Sequence, residues 1–384
     1  MMFRILIGVL LLNSYVYGGN SMEDYILKSL EFWNVPGASI AIVKGDEVVL
    51  AKGFGYTNLQ KNSPVDAETL FPIASLTKSF SSIAAGIFAE QQQIDLDHSI
   101  QSLWPAFKLS DEYATSHLTM RDCLSMQAGL VGQPLEDSFW DQAHLTEKML
   151  LDTLSQFTFP YGFRGGFVYQ NLLHNIISHV IQEKSGKSWE LFVKENLLNP
   201  LEMNATTVSH GAFLEVQNKA FPHQWKGDTI TEVPFERLDV IVAAAGLGSN
   251  ASDMAKWLKF LLNRSPVVVD TLTPQTPVKA EMFFAKDEVW MEKVFFPKAD
   301  SVSYGMGWFI HDYKDVVICQ DPGLIDGMNG LMAVIPELDL GIVILNNLEA
   351  PFFSHSVLFH IVDHYRKEMT DWDPILLNIR KSHG

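Results

Sequence analysis

The chain has 384 residues, 47% hydrophobic and 19% charged, enough apolar side chain for one large buried core or for two units sharing a cleft. Its formal charge of −17 argues against nucleic acid and anionic membrane surfaces as partners, because both demand a basic footprint. The two cysteines, Cys123 and Cys319, lie far apart in apolar stretches and read as buried thiols rather than a disulfide framework.

Met1-Met2-Phe3-Arg4 gives a short positive start, residues 5–12 form an apolar run too short to span a bilayer, and Val16-Tyr17-Gly18 fits a cleavage site. The expectation is a signal peptide over 1–18, an exported (periplasmic or secreted) mature chain over 19–384, and no stable membrane span; a retained N-terminal anchor is the alternative. A short helix is expected over residues 25–32. Residues 38–43 and 47–51 are apolar runs joined by Lys44-Gly45-Asp46, a hairpin signal. From about 75 to 265 the pattern is helical. Phe80, Ile83, Ala84, Ile87 and Phe88 make one apolar stripe, and Leu172, Leu173, Ile176, Ile177, Val180 and Ile181 make another. Residues 306–310, 316–319, 331–335 and 341–345 read as short strands, and Val357 to Tyr365 as a closing helix. Strands at both ends around an inserted helical region (sheet from about 19–74 and 290–384, helices from about 75–265) predict an α+β fold. It consists of one mostly antiparallel sheet built from both termini, flanked by helices, with a cleft beside it.

Ser75 and Lys78 stand three apart at the start of the first helical stripe, so their side chains share a face. A serine hydroxyl needs a base to become a nucleophile, and a lysine supplies one when burial or positive neighbours lower its pKa. Near a helix N-terminus the Ser75 N–H can also hold an oxyanion. Ser-x-x-Lys alone is a weak signal, but it occurs once in the chain and follows the apolar stretch 71–74. Tyr169-Gln170-Asn171 opens the second stripe after the glycine-rich segment 161–166: Tyr169 can shuttle a proton, and Asn171 can bond lysine or substrate. Tyr56-Thr57-Asn58 shows the same local pattern in the N-terminal sheet region and reads as structural.

Ser75-x-x-Lys78 followed by Tyr169-x-Asn171 resembles the superfamily of class C β-lactamases, DD-peptidases and related esterases. The resemblance spans nearly the whole mature chain, through Val35-Pro36-Gly37-Ala38, Asn199-Pro200-Leu201-Glu202-Met203, Ala244-Ala245-Gly246-Leu247 and Tyr304-Gly305-Met306-Gly307-Trp308. It implies an acyl-enzyme on Ser75, proton transfer by Lys78 and Tyr169, a small-molecule or peptide ester or amide as substrate, and no cofactor. The family's third motif is Lys or His, a small residue, then Gly; here it is Asp321-Pro322-Gly323, with Gly327 further on. Gly323 keeps the close approach of backbone to substrate, and the Leu324 N–H falls where the family takes its second oxyanion donor. An acid replaces the base. A carboxylate at 321 is expected to favour the Lys78 ammonium, to oppose general-base work and to repel a substrate carboxylate, unless Asp321 points away and caps a turn before Pro322. The alternative to a working hydrolase is a binding or assembly protein that keeps the fold with weakened chemistry.

No Gly-x-Ser-x-Gly elbow or His-Glu-x-x-His helix is present. His360 and His364 are spaced as a metal pair, but with no third ligand evident they read as an ordinary helix face, so no metal is expected. Trp140, Phe157 and Phe159 are pocket candidates or core. Asn204, Asn250 and Asn263 stand in glycosylation triplets.

Overall fold

A computed structural model describes residues 21–59, 63–131, 146–279 and 291–382; the signal-peptide reading and Trp140 lie outside them. Strands β1 (Gly37–Lys44), β2 (Glu47–Asn58), β3 (Ser63–Pro64), β8 (Thr276–Val278), β9 (Val302–Tyr304), β10 (Phe309–Tyr313), β11 (Val316–Ile325), β12 (Met328–Ile335) and β13 (Leu340–Asn346) form one sheet. Its order is β3-β2-β1-β13-β12-β11-β10-β9-β8, and every pairing is antiparallel. The two ends of the chain meet where β1 pairs with β13, Ala38 opposite Asn346. The remaining strands pair outside this sheet: β4 (Phe71–Pro72) with β7 (Gly248–Ser249), and β5 (His223–Lys226) with β6 (Thr229–Glu232).

Six helices matter for the site: α1 (Met22–Phe32), α2 (Thr77–Gln92), α3 (Leu172–Ser185), α4 (Ala251–Leu262), α5 (Pro351–Tyr365) and α6 (Trp372–Lys381). Helix α4 packs on β1 and β13, and α5 packs on β12 and β13. The sheet is therefore covered on both faces, and β12 and β13 are buried at every position. That is why these strands read as continuous apolar runs instead of alternating ones. The expected α+β fold is the one observed. The main helices and strands come where the apolar patterns put them, but β5, β6 and β7 lie within the region expected to be helical and β8 and β9 were not expected; three further differences bear on the site.

The first is that β10 begins at Phe309, three residues after the expected start. The preceding Gly307 has φ of 89°, and a side chain there would lie 3.1 Å from the Lys78 backbone carbonyl carbon, so glycine lets this turn rest on α2. The second is that β11 does not stop at Cys319. It runs through Asp321-Pro322-Gly323 to Ile325, held by β12 with Asp321 opposite Met332. Pro322 is tolerated because pairing with β10 ends at Gln320, leaving the later part of β11 as an edge. Asp321 is thus mid-strand and caps no turn. The third is α6, which was not expected: Trp372 and Leu376 give it only a narrow buried stripe.

Both cysteines are buried free thiols. Asn250 is wholly buried, and its side chain accepts from the Asp253 N–H at the start of α4, so this triplet is a helix cap in the folded chain. His360 bonds the Thr370 carbonyl through Nδ1 and stacks on Tyr25, which assigns it to packing.

Candidate active site

The nucleophile turn is built where β4 gives way to α2. Ala74 has φ of 48°, a left-handed conformation that costs an alanine on the order of 1–2 kcal/mol, and a single 3₁₀ turn over Ala74–Leu76 then leads into the helix. This places Ser75, half-buried, at the mouth of the cleft while Lys78 is wholly buried one turn on. Lys78 Nζ donates to Ser75 Oγ at 2.8 Å and to the Ala244 carbonyl at 3.1 Å. The segment carrying Ala244 is fixed to α2 in turn, because the Leu247 N–H donates to Thr77 Oγ1 at 3.2 Å and Ser81 donates to the Ala243 carbonyl.

Tyr169 lies just before α3, and its hydroxyl donates to Ser75 Oγ at 2.9 Å. Its ring also lies 4.9 Å from Lys78 Nζ. The Val168 N–H bonds the Met126 carbonyl, which fixes the strand-like approach to Tyr169. Ser75 Oγ is therefore contacted by both proton-carrying groups at once. Asn171 makes no hydrogen bond to Lys78; it lines the cavity, and its Oδ1 is buried without an acceptor bond.

Electrostatics sharpens the roles. Burial pushes the Lys78 amine down to about 7, against the opposing pull of Asp321. Burial, with Asp321 adding to it, pushes the Tyr169 phenol above its usual value although the Ser75 bond lowers it. At neutral pH Lys78 is thus able to hold or release a proton, while Tyr169 stays a phenol that donates. His174, one turn into α3, is wholly buried, and burial followed by the nearby Lys78 charge keeps it neutral.

Asp321 is nearly fully buried, forms no ion pair with Lys78 and has an Oδ2 without a hydrogen-bond partner. Burial drives its carboxyl well above the usual range, with the Lys78 charge opposing. Asp321 does favour the Lys78 ammonium, as expected, but burial has the larger effect on Lys78 and acts against it. For each group burial opposes the charged form while the partner's charge supports it, and burial is the larger cause. Nor does Asp321 stand where a substrate would meet it. It interacts with Lys78, Tyr169 and Tyr304, and it is absent from the cavity wall. Gly323 packs under the nucleophile turn, where a side chain would come within 2.7 Å of the Ile73 carbonyl. Leu324, on the open edge of β11, is exposed and lines the cavity.

A cavity of about 490 Å³ opens on Ser75, Tyr169 and Asn171. Its far lining includes Trp33, Trp225, Phe295, Phe352, Glu349 and Arg380. Neither Phe157 nor Phe159, the described pocket candidates from the sequence, is among its wall residues. Sequence reasoning missed the wall residues that are there because they come from α1, the β5–β6 hairpin and the C-terminal helices, and no local spacing links them. It also missed the Ala244 carbonyl, although Ala244-Ala245-Gly246-Leu247 was the signal that carried it. Among the described residues no cluster of His, Cys, Asp or Glu could hold a metal, and no helix is long and apolar enough to cross a membrane.

Comparison with known proteins bears on the family and the fold. A family described as Beta-lactamase matches residues 30–365. Protein flp of Staphylococcus aureus is 24% identical over 340 residues, covering 86% of this chain and 63% of its own length. Unguisins hydrolase ungD' of Aspergillus campestris is 26% identical over 357 residues, 88% of this chain and 64% of its own. The chain thus spans less than two thirds of these curated relatives. Among solved structures, the octameric penicillin-binding protein homologue from Pyrococcus abyssi superimposes with a TM-score of 0.76 at 23% identity, covering 91% of this chain and 77% of that one. The D-amino acid amidase from Ochrobactrum anthropi gives 0.72 at 19%, covering 90% and 98%. At these identities the structural likeness speaks for the fold.

Proposed function

The chain belongs to the β-lactamase family, and from that premise we propose that it is a serine hydrolase acting through an acyl-enzyme on Ser75. The observation that carries the reading is the convergence of Lys78 Nζ and the Tyr169 hydroxyl on Ser75 Oγ, at 2.8 and 2.9 Å, with the amine held near 7. Lys78 takes the Ser75 proton as Oγ attacks an ester or amide carbonyl. The N–H groups of Ser75 and Leu324 hold the oxyanion, and Tyr169 passes a proton to the leaving group. Water then releases the acyl group by the same route in reverse. Asn171, with its unpaired Oδ1 at the cavity wall, accepts from the substrate. The third-motif cation is absent, so the substrate is an ester or amide that is not anchored from position 321.

The reading of the chain as a binding protein with weakened chemistry rested on Asp321. That support falls away if the buried carboxyl is neutral beneath the site. Hydrolysis of p-nitrophenyl esters and the matching amides by the purified protein is the test. Turnover that disappears in Ser75→Ala supports the proposal, and turnover unchanged in that variant, or absent altogether, overturns it.

A further inference from the structure

The cavity wall remote from the nucleophile is assembled from three elements. Trp33 follows directly on α1, Phe352 lies in the first turn of α5, and Arg380 lies in the last turn of α6. The Trp33 and Phe352 rings stack at 5.4 Å with 23° between their planes, and the Arg380 guanidinium lies 5.4 Å from the centroid of Phe352. The row is rigid at its base. Buried Asp373 accepts from Trp33 Nε1, Ser29 Oγ and Ser356 Oγ, each at 2.7 Å, which fixes the indole plane and ties α1, α5 and α6 together. Arg380 is different: it is exposed, and its guanidinium makes no ion pair or hydrogen bond among the described residues. It is the one cation of the described lining, and Glu349, the one anion, is already held by Gln224.

A guanidinium over an aromatic ring, with its donors unused, can receive a planar anion in a two-point contact. We infer that the Trp33–Phe352–Arg380 row selects an acyl group that is aromatic and carries a carboxylate at its far end. The anchoring cation, missing from β11, is on this view supplied across the pocket by the C-terminal helix. This rests on the reading that Ser75 attacks an acyl carbonyl, and deepens it by naming the acyl class. The ring of the acyl group packs along Trp33 and Phe352, and its carboxylate meets Arg380 as the carbonyl reaches Ser75 Oγ.

Two p-nitrophenyl esters separate the terms: the phenylacetate, which is neutral, and the monoester of 1,4-phenylenediacetate, which adds a carboxylate opposite the scissile bond. Wild type is expected to favour the carboxylated ester. In Arg380→Gln the ratio of kcat/KM between the two esters falls by about 10–100-fold, mainly through KM, as loss of a charge-assisted contact requires. Arg380→Lys, a charge without the fork, recovers part of it. A ratio unchanged in Arg380→Gln overturns the inference. Calorimetric titration of 1,4-phenylenediacetate into Ser75→Ala, with and without Arg380→Gln, reads the same contact without turnover. Binding that depends on Arg380 with neither ester hydrolysed keeps the Trp33–Phe352–Arg380 row as a site for an aromatic carboxylate and rejects the acyl-enzyme. Ester turnover with no Arg380-dependent binding does the opposite.

Discussion

Replacing Asp321 by asparagine should leave a dependence of stability on pH that belongs to Lys78 alone within this pair. Lys78 is held near 7 in the fold and returns to its ordinary value of about 10.4 when the chain unfolds. Between those values the unfolded state binds the proton and the folded state does not, so this group makes stability rise with pH. Asp321 has the opposite sign. Its folded pKa is raised, so above about 3.9 the folded state holds a proton that the unfolded state has lost, and stability falls with pH until the folded value is passed. In the native protein the two trends have opposite signs. Asp321→Asn removes the second and also lowers Lys78 further, since Asp321 was raising it.

The penalty left on Lys78 is about 4 kcal/mol at pH 7 and about 1 kcal/mol at pH 10. Against the double variant Lys78→Met/Asp321→Asn, which lacks both groups, Asp321→Asn should therefore gain on the order of 3 kcal/mol between these pH values. The lost hydrogen bonds of Lys78 to Ser75 and Ala244 shift the comparison by a constant and cancel. Urea unfolding of both variants at the two pH values reads the difference as a change in midpoint at constant slope. A difference that stays level with pH means that Lys78 is charged in the fold, and the account of burial as the dominant effect on its amine fails with it.

Tyr169→Phe should lower kcat by about 100- to 10,000-fold with little change in thermal midpoint, because the phenol donates to Ser75 and its removal leaves the ring packing intact; a small effect on kcat refutes its part in proton transfer. Gly323→Ala should cost roughly 1–3 kcal/mol and lower activity as well, since the new methyl meets the Ile73 carbonyl and pushes β11 away from the nucleophile turn; a fully active, fully stable variant shows that the approach is not tight. Asp373→Ala should destabilise by about 1–3 kcal/mol, chiefly by leaving Trp33 Nε1 without its acceptor, because Ser29 and Ser356 keep each other and Ser356 keeps the Phe353 carbonyl; chemical denaturation at neutral pH measures it.

Ser75, Lys78 and Tyr169 were legible because their chemistry is local. Ser-x-x-Lys fixes two side chains on one helical face whatever surrounds them, and Tyr169 announces itself by its order and its place before a helical stripe. The charge state of Lys78 was not legible. It depends on how deeply α2 is covered by the Ala244 segment and by β11, a sum of contacts between parts distant in sequence. Asp321 shows the same gap: its place in the third motif followed from the resemblance, but its burial, which raises its carboxyl, did not. The end of β11 was misjudged because Asp-Pro-Gly reads as a turn, whereas pairing with β12 carries the strand through it. The recognition wall was out of reach altogether, since Trp33 and Arg380 come together only when both termini close on the sheet.

The most direct test is the rate at which a fluorophosphonate forms its covalent adduct, followed by intact mass across pH 5–9 with the modified residue mapped. A single adduct on Ser75 is predicted, none in Ser75→Ala, at a rate that climbs through pH 7 as the buried Lys78 amine gives up its proton. An adduct elsewhere, or a rate on Ser75 indifferent to pH and to Lys78→Met, contradicts the claim that Lys78 activates this serine.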